Sequence, residues 1–72
     1  MNDDICVIKN RRTLRYEVKY VRLARSGPLH RTIECGSAGE AAGAAIDIKR
    51  KRGGRIVAGP EVMQYIRPDL AR

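Results

Sequence analysis

The sequence predicts a small α+β domain. The expected order is βββαββ: an antiparallel β-meander of three strands, one α-helix packed on the sheet, then a short C-terminal β-hairpin. Three observations lead there. Residues 14–23 alternate apolar and charged side chains at period two. Residues 36–54 carry a helix start, an alanine-rich face and a Gly-Gly stop. The remaining apolar stretches are short, rich in β-branched residues and bounded by turn formers.

The elements follow in order. Ile5-Cys6-Val7-Ile8 is a continuous apolar run, which suits a central strand or one buried on both faces. Asn10-Arg11-Arg12-Thr13 reads as the turn after it. In the next strand Leu14, Tyr16, Val18 and Tyr20 share one face, and Arg15, Glu17 and Lys19 the other. The alternation breaks at Val21-Arg22-Leu23, where a bulge or a departure from the sheet is expected. Arg25-Ser26-Gly27-Pro28 is the strongest loop signal. The third strand runs from Leu29 to Cys35. Leu29, Arg31, Ile33 and Cys35 lie on one face, and His30, Thr32 and Glu34 on the other.

The helix begins with Ser37 as N-cap and Glu40 three residues on, the spacing of a capping box. At 100° per residue, Ala38, Ala41 and Ala45 form the centre of the apolar face, with Ala44 and Ile48 on one flank and Ala42 and Ile46 on the other. Small side chains there let the helix lie close to a sheet whose Tyr and Ile residues supply the bulk. Lys49-Arg50-Lys51-Arg52 complements the negative end of the helix dipole, and Gly53-Gly54 ends the helix. Arg55–Ala58 is a short strand candidate. Val62–Ile66 reads as a returning strand, because Val, Tyr and Ile favour pleated surfaces. A helix opening at Pro60 is the alternative, since proline suits the first helical position. Pro68-Asp69-Leu70-Ala71 is expected to close the chain in a turn.

Seventy-two residues make a single domain spanning 1–72. A chain of this size buries only roughly 60% of its unfolded surface and leaves little room for a deep catalytic pocket. Fifteen Lys and Arg face eight Asp and Glu, a formal charge of +7, which favours an anionic partner. Eleven of the basic residues are Arg, the side chain best suited to bidentate phosphate or carboxylate contacts. Two basic clusters are the candidate partner-binding patches: Lys49, Arg50, Lys51 and Arg52 with Arg55, and Arg11, Arg12 and Arg15. The same residues also serve helix capping and solvation.

The sequence offers no catalytic constellation. His30 lacks a nucleophile or metal at motif spacing, so the protein is expected not to be an enzyme and to need no cofactor. Cys6, His30 and Cys35 match no common zinc spacing, and the two cysteines are expected as reduced, buried thiols. Gly36-Ser37-Ala38-Gly39 precedes a helix but lacks the ending of a phosphate-binding loop. No run of about 18 apolar residues is present, and no N-terminal stretch resembles a signal peptide. A cytoplasmic protein without membrane contact is therefore expected.

The order of several segments resembles a known family. Tyr16-Glu17-Val18 sits in a charged strand. Gly36-Ser37, a two-residue gap and the Ala/Gly-rich Ala41–Ala45 follow. Then come Ile56-Val57-Ala58-Gly59, the Val62–Ile66 segment and Pro68–Leu70. Over about residues 14–72 this is similar to the small phage-encoded anti-CRISPR proteins directed at type I-F systems. The resemblance implies a non-enzymatic inhibitor; monomer and homodimer both stay open. It would bind a subunit of a type I CRISPR surveillance complex in the cytoplasm of an infected or prophage-carrying bacterium and block DNA binding or nuclease recruitment. Many such inhibitors are acidic and imitate DNA. This chain is basic, which points to an acidic protein patch or to bound nucleic acid. A small module making sequence-nonspecific phosphate contacts is the alternative from the residues alone.

Overall fold

A computed structural model of the chain describes residues 4–70. Four strands and two helices follow in the order β1 (Asp4–Lys9), β2 (Tyr16–Ala24), β3 (Gly27–Cys35), α1 (Ala38–Arg52), β4 (Arg55–Ala58) and α2 (Pro60–Leu70). The sheet order is β3-β2-β1-β4. The first three strands form the expected antiparallel meander, and β4 pairs parallel to β1, with Ile5 opposite Ile56. Both helices belong to one layer: α1 crosses all four strands and α2 packs beside it. The molecule measures about 34 × 34 × 15 Å, a sheet and one layer of helices.

The core lies between these layers. Ile5, Val7, Val18, Cys35 and Ile56 come from the sheet, Ala41, Ala42, Ala45 and Ile48 from α1, and Val62 and Ile66 from α2. Ala41 and Ala45 are fully buried, as expected for an alanine face laid on strands. Ala42, expected on the flank, is buried as well; α2 beside α1 extends the buried arc in that direction. The N-cap forms as expected, with the Glu40 amide donating to Ser37 Oγ at 3.2 Å. The reciprocal bond differs by one residue, since Glu40 Oε2 accepts from the amide of Gly36 rather than that of Ser37. Gly53, at φ 76°, ends the helix and donates its N–H to the Lys49 carbonyl at 2.7 Å.

Four expectations are corrected. The C-terminal hairpin is absent: β4 joins the sheet, but Val62–Ile66 is helical, so the order is βββαβα. Pro60 takes the first helical position, and the buried pair Val62 and Ile66 are four apart, the spacing of a helix face rather than a strand face. The same helix runs through residues 68–70 in place of the expected closing turn; Ala71 lies outside the described residues. No bulge interrupts β2, which stays paired residue by residue from Tyr16↔Cys35 to Ala24↔Gly27. Leu14 belongs to the turn rather than to β2. It adopts φ 60°, donates its N–H to the Asn10 carbonyl and is 67% exposed.

Burial of β1 is one-sided. It is central, but only Ile5 and Val7 face the helices, while Ile8 on the other face is exposed. That second face of the sheet carries no covering layer among the described residues.

Candidate anion-binding surface

The sheet register separates the two predicted basic clusters. Arg55 pairs with Asp4 at the start of β1, whereas Arg11, Arg12 and Arg15 follow its end. The intervening strand is about 17 Å long at ~3.3 Å per residue. The structure therefore does not assemble them into one patch.

Within the first cluster, several side chains already have local tasks. Lys49 is half-buried and donates Nζ to the Gly54 carbonyl at 2.8 Å, completing the helix stop. Lys51 pairs with Asp47 one turn earlier at 3.2 Å, and Arg55 with Asp4 at 3.4 Å. Arg50 is exposed on α1 and also has an interaction partner. Arg52 differs: its guanidinium lies 6.0 Å from the centroid of the Tyr20 ring, within cation–π range. In the second cluster Arg15 lies 3.9 Å from Glu34, an exposed contact worth well under about 1 kcal/mol. Arg11 and Arg12 are exposed in the turn, where Asn10 Oδ1 accepts from the Arg12 amide.

The Tyr20 contact leads to residues that the sequence clusters did not include. Tyr20 is paired with Arg31, and two residues on Arg22 is paired with Leu29. Residues paired across adjacent strands, and those two apart along a strand, share a face. Arg22 and Arg31 therefore project from the helix-bearing face of the sheet, at the end beyond the C-terminus of α1. Both are exposed, as is Leu29. Arg22, Arg31 and Arg52 thus stand around half-buried Tyr20 on a ledge where the sheet emerges from under α1. Among the described residues none of the three has a carboxylate partner, although Asp4, Glu17, Glu34 and Asp47 each contact a Lys or Arg. A signal for this ledge was present: Arg22 continues the Tyr16–Val18–Tyr20 face, and Arg31 interrupts the Leu29–Ile33–Cys35 face.

Other candidate chemistry is dispersed. Cys6 and Cys35 lie on strands separated by β2 and point to opposite faces of the sheet. Among the described residues no three His, Cys, Asp or Glu side chains converge on a common point. Cys35 is buried, and Cys6 is half-buried rather than fully buried as expected. Burial, followed by the nearby Glu40 carboxylate, pushes the Cys35 thiol above its ordinary pKa. His30, Lys19, Thr32 and Cys6 line a shallow depression of about 340 Å³ on the uncovered sheet face. At the start of α1, the Gly36 and Glu40 amides are occupied by Glu40 and Ser37. No helix among the described residues is long and apolar enough to cross a membrane.

Comparison with protein families, curated proteins and solved structures finds no match to this chain.

Proposed function

We propose that this protein is a non-enzymatic binding protein that docks an anionic macromolecular surface through the Arg22–Arg31–Arg52 ledge. The observation carrying the reading is that these three arginines flank one tyrosine with no carboxylate among them. A guanidinium held over a ring, with two further arginines on the paired strands beside it, suits carboxylate or phosphate oxygens. Joined to the family resemblance, this favours an anti-CRISPR inhibitor. Such an inhibitor would seat the ledge on an acidic subunit patch, or on the nucleic acid, of a type I surveillance complex and block DNA binding or nuclease recruitment in the bacterial cytoplasm.

The second reading, a sequence-nonspecific nucleic-acid-binding module, is favoured by the Tyr20 ring. Arginines beside an aromatic ring also suit a phosphate backbone and an unstacked base.

One experiment separates the two. The protein and its Arg22→Ser/Arg31→Ser/Arg52→Ser variant are titrated against purified type I-F complex, apo and DNA-loaded, and against bare duplex and single strands. The inhibitor reading expects retention on the complex, abolished by the triple variant, with little binding to bare nucleic acid. The nucleic-acid reading expects binding to bare strands and a log–log salt slope that shrinks by about 3 in the variant, at ~0.9 per phosphate contact on duplex. If the triple variant binds every target as the parent does, the ledge is not the docking surface.

A further inference from the structure

The outer edge of β3 points to a second copy of this chain. The sheet has two edges. β4 is four residues long, a length that limits strand addition. β3 is nine residues long, Gly27–Cys35, and has no neighbour on its outer side among the described residues. Every residue from Pro28 to Glu34 is exposed. An edge of this length presents a row of backbone donors and acceptors to any extended strand. Pro28 is the only residue of that run without an N–H, and it stands near one end.

We infer that two copies pair antiparallel through β3, about a two-fold axis at Thr32, forming one continuous eight-stranded sheet. Side-chain parity restricts the choice. Residues that oppose one another across antiparallel strands share a face, so an isologous β3–β3 pair must join residue numbers whose sum is even. Centring on Arg31 would set two like charges directly opposite, which is unfavourable. Centring on Ile33 opposes Thr32 to Glu34 and Arg31 to Cys35, and leaves no charge matched. Centring on Thr32 sets each His30 opposite the Glu34 of the other copy, Arg31 opposite Ile33, and Leu29 opposite Cys35.

This last register also answers a local problem within the single copy. Glu17 and Glu34 are direct cross-strand partners on the uncovered face, a like-charge pair. Arg15 and Lys19 approach them only at 3.9 Å. An imidazole N–H from the other copy's His30 would add a donor to that carboxylate pair, once on each side of the axis. On the other face, the exposed Ile33 gains the Arg31 side chain as opposing cover, and the exposed Leu29 stands beside the Cys35 end of the strand. The two-fold axis keeps both pairs of helices on one face of the sheet.

Sedimentation equilibrium of the isolated protein, from micromolar to millimolar, should show a concentration-dependent rise from 8.1 kDa toward twice that mass. His30→Glu should weaken association about tenfold, since two attractive cross-strand pairs become repulsive. Adding Glu34→Lys should restore it. Under mild oxidation Thr32→Cys should form a disulfide between the two copies, because directly opposed Cα atoms stand about 4.5–5.5 Å apart. Ile33→Cys, facing Arg31 of the other copy, should not. A protein that stays monomeric up to about 1 mM, a dissociation constant worth only ~4 kcal/mol, overturns the inference. So does equal cross-linking of the Thr32→Cys and Ile33→Cys variants. No partner is present in these measurements, so their failure leaves the ledge reading standing.

Discussion

Strand β2 runs through two environments. From Tyr16 to Tyr20 its helix-bearing face lies under α1, and Val18 there is fully buried. From Val21 to Ala24 the strand continues, still paired to β3, beyond the reach of the helix. The same face now carries Arg22 and, across from Tyr20, Arg31. Backbone pairing is continuous through both halves, so hydrogen bonding does not distinguish them; the covering layer does. Where α1 and α2 lie on the sheet, apolar burial holds the fold. Where they stop, side chains are free of packing constraints and can serve a partner.

The largest expected effect is on the covered half. Ile66→Ala removes a fully buried side chain of α2 and should cost about 2–5 kcal/mol in chemical denaturation. A cost below about 0.5 kcal/mol would mean that α2 does not seal the core. Next comes the cap that starts α1. Ser37→Ala should cost about 1 kcal/mol by losing the acceptor for the Glu40 amide. A smaller change of opposite sign belongs to Leu14. Its left-handed backbone and exposed side chain predict that Leu14→Gly stabilises the protein by about 0.5–1 kcal/mol, read as a higher denaturation midpoint.

The bare half predicts the smallest stability effect. Arg22→Ser/Arg31→Ser/Arg52→Ser should leave stability within about 1 kcal/mol, even where it abolishes partner binding. Global unfolding of that variant would erase the distinction between the halves. The two thiols sharpen the contrast without altering stability. Cys35 is covered and its pKa is raised, so at pH 8 it holds less thiolate than an ordinary cysteine and should resist alkylation until the protein unfolds. Cys6, half-exposed on the uncovered face, should be labelled in the native state. Mass spectrometry of the labelled peptides separates the two sites.

Much of this was legible in the residues. The period-two face of Tyr16, Val18 and Tyr20, the Ser37 cap, the Ala41–Ala45 seam and the Gly53 stop are local signals, set by backbone geometry within a few residues. They appear in the fold where the pattern places them, with the first three strands in meander order. The second helix was harder to read. Val62–Ile66 is short, and its β-branched and aromatic content favours a strand, but tertiary packing against α1 overrides that propensity. The candidate site was half legible. Arg52 stands in an obvious basic run, but its neighbours Arg22 and Arg31 are scattered along two strands.

By itself the sequence determined the alternation of the strands, the limits of α1 and the excess of arginine, because each depends on residues adjacent in the chain. Tertiary structure alone decided which arginines stand together, since that depends on strand register. It alone decided that β4 lies parallel to β1, because the covalent chain permits either edge and either direction. It also decided which part of β2 is core and which is surface: α1 ends at Arg52, and beyond that point nothing among the described residues excludes water from the sheet.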